Sequence, residues 1–296
     1  MKTKEKGTVP EKGDSPHSKQ TIHFGHSPDP DDAFMFYAIA KNKISLDGFQ
    51  IDHVVDDIES LNQRAIRKAE LEATAVSVHA FAHLADKYAI MRAGASIGEK
   101  YGPIIVSKNR MSSKEICGKK IAIPGKLTTA NLILQLFEPN FNPVLVPFDQ
   151  IMDHVLAGKS DAGLIIHEGQ ITYKEKGLYK VIDLGEWWWN ETKLPLPLGI
   201  DALRKDLGME TMKRLSKVFK ESILYALKNR QPALDYAIQF GRGLRPDLND
   251  RFVGMYVNDF TIDIGERGEA GIRKIFELAA ARGVLSPGIC AQMQFV

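Results

Sequence analysis

The strongest constraint in the sequence is a strand–loop–helix unit that recurs along its first two thirds. The clearest copy is KKIAIPG (residues 119–125), then KLTT, then ANLILQLF (130–137). A short apolar run stops at Pro124-Gly125, and apolar residues resume at helical spacing after two threonines. The same order returns in PVLVPF (143–148), FDQIMDHVLAGK (148–159) and SDAGLIIHE (160–168). Upstream, TIHFGHS (21–27) reads as a strand and AFMFYAIAKNKI (33–44) as a helix, followed by FQIDHVVDD (49–57) and IESLNQRAIRKAE (58–70). LEATAVSVHAFAHLADKY (71–88) reads as a buried strand running into a helix, YAIMRAGASIG and GPIIVSK as strands around a glycine loop, and YKVIDLGEWW (179–188) as a strand. From about Thr211 the pattern turns helical. Strands alternating with helices predict an α/β fold with mainly parallel sheets covered on both faces.

The unit from about Ser112 to Leu198 is long enough to make its own small sheet. The reading is therefore two α/β lobes around a central cleft, with the chain crossing over and returning. The expected boundaries are a disordered tail at 1–20, a larger lobe of 21–107 plus 200–296, and a smaller lobe of 108–199. The tail is charged and rich in Gly, Pro and Ser and lacks the apolar core of a secretory signal. With no apolar run near 18 residues, the expectation is a cytoplasmic protein. The 296 residues carry a net charge of +2, which offers no strong field for nucleic acid or a membrane surface. Cys117 and Cys290 make no metal or redox spacing and read as reduced thiols.

Four segments could carry chemistry. HSPDPDDAF (26–34) joins a strand end to a helix start, where free N–H groups favour anions and Ser27 can donate or accept. The competing reading is a capped turn with Asp29 or Asp31 as N-cap. GKLTTAN (125–131) has the same geometry, and Thr128 and Thr129 either cradle a carboxylate or phosphate or serve as an ordinary cap. SDAGLIIHEG (160–169) ends a buried strand with His167, which either faces the cleft as an acid–base group or is structural. Glu168 is expected to point away, since strand neighbours alternate faces. Trp187, Trp188 and Trp189 cannot all face one way on a strand, so at least one is buried or lines a cavity. His79 and His83 have a metal-compatible spacing but read as packing, with no third ligand evident. No GxSxG, HExxH, GxGxxG or Walker pattern occurs, so neither a nucleotide cofactor nor a metal is expected.

Taken together and in this order, these segments resemble the 1,4-dihydroxy-6-naphthoate synthase family of the futalosine route to menaquinone. The most specific stretch is GLIIHEGQITY (163–173) with GLYKVIDLGEWWWNETKLPLPLG (177–199). SVHAFAHLADKYAIMRAGASIGEKYGPIIVSK, PGKLTTANLILQL and MYVNDFTIDIGERG resemble further family signatures. The resemblance implies a two-lobed periplasmic-binding-protein-like (type II) fold. It also implies a carbon–carbon lyase converting cyclic dehypoxanthine futalosine to 1,4-dihydroxy-6-naphthoate, with no cofactor. His167 maps onto the proposed base, and Ser27, Ser77, His79, Thr128 and Thr129 onto positions expected at a small anionic aromatic substrate. The protein is expected as a monomer or homodimer. A solute-binding protein of this fold and the chorismate dehydratase of the same pathway are the rival readings. One loop departs from the family's Ser-Pro-Cys-Pro-Asn-Asp-Thr-Phe, having Asp29, Asp31 and Ala33 in place of Cys, Asn and Thr. The added carboxylates would repel an anionic substrate unless buried and protonated.

Overall fold

The computed structural model describes residues 19–296. The expected tail therefore lies outside the described residues except for Lys19 and Gln20, and Gln20 already opens a strand. Five strands come first: β1 (Gln20–His26), β2 (Phe49–Val55), β3 (Ala73–Ser77), β4 (Tyr88–Ile90) and β5 (Ser96–Gly98). Five more follow: β6 (Ile104–Ser107), β7 (Lys120–Ile123), β8 (Asn142–Leu145), β9 (Ala162–Ile165) and β10 (Tyr179–Asp183). A long strand, β11 (Leu196–Arg204), then returns to the first group. One sheet has the order β2-β1-β3-β11-β4, with β5 also on β11, and the other has β10-β6-β9-β7-β8.

Both sheets are mixed, whereas the alternating pattern predicts mainly parallel ones. β1 is parallel to β2 and β3, and β7 to β8 and β9. β11 runs antiparallel to β3, β4 and β5, and β6 antiparallel to β9 and β10. These two strands enter from the other sheet rather than through a crossover helix, so nothing forces them parallel. The exchange of chain also falls a few residues earlier than expected at both crossings. Residues 104–107 belong to the second sheet because their ladder partners are Ala162–Ile165, and Leu196–Gly199 belong to the first because they pair with Ser96–Gly98 and Ser77.

The helices up to the second crossing are α1 (Pro30–Ala40), α2 (Ile58–Lys68), α3 (Val78–Phe81), α4 (Thr129–Phe137), α5 (Ile151–Leu156), α6 (Gly169–Thr172) and α7 (Leu184–Thr192). The C-terminal part adds α8 (Met209–Lys228), α9 (Arg230–Ala237), α10 (Pro246–Tyr256), α11 (Asp259–Ile262), α12 (Gly265–Ala281) and α13 (Ile289–Gln292). α1 is apolar almost all round, so it is buried from Pro30 to Ile39 and packs against α8 and α9. Asp31 and Asp32 in its first turn are carried inside with it.

The tryptophans sit on a helix, not a strand. Asp183 accepts from the N–H groups of Gly185 (2.8 Å) and Glu186 (3.2 Å), capping α7 and ending β10. The aromatic content suggests a strand, but the cap overrides it. Trp188 is then fully buried, Trp187 packs on Phe137, and Trp189 lies under the Lys100 ammonium. The main apolar core runs through both lobes, joining Val76, Tyr88 and Ile97 to Ile105, Ile121 and Leu164. No helix among the described residues is long and apolar enough to cross a membrane.

Candidate active site

Four strands end at one place. The carboxyl ends of β1, β3, β7 and β9 lead into α1, α3, α4 and α6, and the cleft between the sheets opens over those ends, as parallel α/β topology favours. The cleft holds about 730 Å³ including its open mouth, in the range of small-molecule sites. Ser27, Ser77, Thr128, Thr129 and His167 all line it.

His167 follows β9 at φ +55°, so the strand is over before the imidazole. This left-handed residue turns the side chain into the cleft, where it is 17% exposed. Its Nδ1 lies 3.1 Å from Oδ2 of Asp29, which comes from the other lobe. The Arg242 guanidinium reaches the second Asp29 oxygen at 2.8 Å and Glu168 Oε1 at 3.0 Å. Glu168 thus faces the same network as His167, and the strand alternation expected to turn it away does not apply past Ile165. Phe148 packs against the His167 ring (4.9 Å between centroids) and under Arg242 (4.7 Å). Asp29 stands at the N-cap position of α1 but makes no side-chain cap, since its carboxylate is spent on His167 and Arg242.

The threonines turn out to be structural in their hydroxyls. Thr128 Oγ1 accepts from Asn131 N–H (3.2 Å) and donates to the Gly125 carbonyl (3.0 Å), as an N-cap does. Thr129 Oγ1 donates to the Leu198 carbonyl (2.6 Å) and accepts from the His79 N–H (3.2 Å), tying α4 to the first lobe. What the start of α4 offers a ligand is therefore its first-turn backbone N–H groups. Ser77 accepts from Asn62 (3.1 Å), which leaves its own proton for a ligand. Ser27 lines the cleft while its N–H is held by Asp32 at 2.6 Å. His79 does not reach the cleft. It lies behind the threonines with Nδ1 3.3 Å from the Thr128 carbonyl, and burial pushes its imidazole down to about 4. His26 is likewise inside, stacked on Phe36, and burial brings it to about 4.

Asp31 and Asp32 of the first candidate segment also line the cleft, together with Asp201, Gln170 and Tyr256, which the sequence reading does not single out. Asp201 carried a readable signal, a single carboxylate inside the apolar run LPLGIDAL. Arg242 carried none, because nothing local marks a lone arginine in a Gly-Arg-Gly loop as a partner for Asp29, 213 positions away. Gln170 accepts from the Tyr256 hydroxyl (2.8 Å), a second link between the lobes at the cleft.

Burial, then the neighbouring Asp29 charge, raises the Asp31 carboxyl to about 6 from its ordinary 3.8. A folded-state value above the unfolded one stabilises the protein below about pH 4 and is lost as pH climbs through about 6. Asp31→Asn should therefore match the wild type in stability near pH 4 and exceed it by roughly 2 kcal/mol at pH 8. Denaturant titrations at the two pH values check this. An equal difference at both would show that Asp31 does not titrate in this range.

Residues 22–281 match the family model described as "Menaquinone biosynthesis", and the chain belongs to that family. It is 37% identical over 268 residues to the 1,4-dihydroxy-6-naphtoate synthase of Thermus thermophilus, covering 90% of this chain and 97% of the relative. It is 34% identical over 274 residues to the enzyme of the same name from Streptomyces coelicolor, covering 90% and 96%. A crystal structure of an Archaeoglobus fulgidus protein superposes with a TM-score of 0.87 at 48% identity, over 91% of this chain and all of that one. The alkanesulfonate-binding protein SsuA of Xanthomonas axonopodis pv. citri, bound to MOPS, superposes at 0.70 with 12% identity over 93% and 98%. The two-lobed α/β fold is that of the periplasmic binding proteins.

Proposed function

We propose that the protein is a cytoplasmic carbon–carbon lyase that converts cyclic dehypoxanthine futalosine to 1,4-dihydroxy-6-naphthoate, with His167 as general base. The observation that carries the reading is an imidazole opening on the cleft with a carboxylate behind its Nδ1. With Nδ1–H donating to Asp29, the lone pair stands on Nε2, the nitrogen left for the substrate. Nε2 takes the proton of a hydroxyl on the substrate's sugar-derived part. The oxygen's electrons form a carbonyl as the adjacent carbon–carbon bond breaks, that bond's electron pair passes into the conjugated ring system, the His167 imidazolium returns the proton there, and the bicyclic aromatic acid is released. Arg242 neutralises Asp29 from its far side, so the dyad is held without a bare buried carboxylate.

The substrate carboxylate is placed at the start of α4, where N–H groups and the helix dipole favour an anion. The added acidic residues do not oppose it there. Asp29 is paired with Arg242, and Asp31 is buried in the first turn of α1. The links from Tyr256 to Gln170 and from Arg242 to Glu168 close the lobes over the reacting centre and exclude water. Incubation of the purified protein with cyclic dehypoxanthine futalosine should yield 1,4-dihydroxy-6-naphthoate by mass spectrometry. Recovery of unchanged ligand, or turnover of chorismate instead, would sink the assignment.

A further inference from the structure

We propose that the inner end of the cleft is a subsite for an uncharged oxygen of the substrate, to which Asp201 donates a hydrogen bond as a neutral carboxylic acid. The inference rests on the reading of this cleft as the reaction site. Asp201 stands on β11, whose ladder to β3 and whose carbonyl, accepting from Met91 N–H at 2.8 Å, fix its backbone. Its side chain is buried (2% exposed) and lines the cleft, yet Oδ1 has no hydrogen-bond partner among the described residues. Asp31 Oδ1, on the same lining, is also buried and without one. Two such orphaned acceptors cost free energy unless a ligand completes them or a proton sits on them. The facing position is Gly94, at φ +94°, where any methyl would overlap the Asp201 carboxyl. The absence of a side chain at Gly94 is what lets the Asp201 carboxyl sit here, beside the Phe219 ring.

The charge around the subsite decides what enters. Asp31 and Asp32 come from α1 and Asp29 from the loop before it, with Arg242 of the same lobe on one Asp29 oxygen and His167 of the other lobe on the second. Arg242 is engaged by Asp29 and Glu168, and among the described residues no lysine or arginine forms an ion pair with Asp31, Asp32 or Asp201. A second anion here would meet the negative charge of these carboxylates, whereas a carbonyl or hydroxyl oxygen accepts from an acid O–H. Burial first, and the Asp31 charge second, hold the Asp201 carboxyl well above the ordinary carboxylate range, in keeping with a proton there. A largely apolar lining thereby carries two polar positions, one at α4 for the substrate's carboxylate and one at β11 for an uncharged oxygen.

Calorimetric titration with cyclic dehypoxanthine futalosine tests this on the wild type, Asp201→Asn and Asp201→Ala, with turnover followed in parallel. The amide N–H of Asn replaces the acid O–H, so Asp201→Asn should bind within about threefold of the wild type and Asp201→Ala about tenfold or more weakly. Wild-type affinity should fall as pH rises and Asp201 ionises, and the fall should be smaller in Asp201→Asn, where only Asp31 and the other cleft groups still titrate. The Asn variant and its pH profile carry the test alone if Asp201→Ala does not fold. Asn binding as weakly as Ala, Ala binding as tightly as the wild type, or an equally steep pH dependence in Asp201→Asn overturns the subsite. A wild type that binds without turnover sinks the lyase reading while leaving the subsite intact. A wild type that does not bind overturns both.

Discussion

On the proposed function, His167→Ala should lower turnover of cyclic dehypoxanthine futalosine by roughly 10²–10⁴-fold while leaving its binding within a few-fold of the wild type, the range expected when a positioned general base is removed. The physical basis is the division of labour in the cleft. Binding groups on α4, β3 and β11 remain in place, and only the Nε2 lone pair goes. The loss should therefore fall on kcat rather than KM. Asp29→Asn should give a smaller loss, since the imidazole stays but loses the carboxylate that fixes its tautomer and orientation. It should also release Arg242 from one of its two carboxylate partners. Full turnover by His167→Ala would remove the imidazole from the chemistry, and equal losses of kcat and binding affinity would make it a binding group instead.

Trp188→Ala should cost roughly 3–5 kcal/mol of stability and lower Tm by about 10 °C or more, as for other large aromatic truncations in packed cores. The indole is fully buried on α7 and belongs to the core that joins the two lobes. Its Nε1–H donates to the Pro195 carbonyl at 3.0 Å, next to the point where the chain re-enters the first sheet. Truncation leaves a cavity at the crossover and an unpaired carbonyl beside it. Trp189→Ala is the matched comparison, because that ring is only half-buried and its marked contact is with the Lys100 ammonium. It should cost no more than about 1 kcal/mol. Thermal denaturation of the two variants decides the point, and a Trp188 loss no larger than the Trp189 loss would contradict the packing described.

Much of the fold is legible locally. Lys120–Ile123, the Thr128 cap and the apolar face of α4 read directly as strand, turn and helix because each rests on interactions within a few residues. The Trp187–Trp189 segment does not, because the decision between strand and helix lies with the capping carboxylate of Asp183. The strand directions of β6 and β11 were not legible either, since pairing partners far apart in sequence fix them. In the site, His167 could be singled out by its place after a buried apolar run, but its partner could not. Asp29 reads as a helix cap in sequence and is an ion-pair partner in space.

By itself the sequence determined the strand–helix alternation, the two-lobed architecture and the residue types available at the strand ends, since hydrophobic period and turn chemistry are short-range. Only the tertiary structure decided which groups share the cleft. Asp29, His167 and Arg242 meet through long-range packing. The same packing takes His79 out of reach and buries Asp31 and Asp201 without an ion-pair partner among the described residues, and burial is what gives those carboxyls their chemistry.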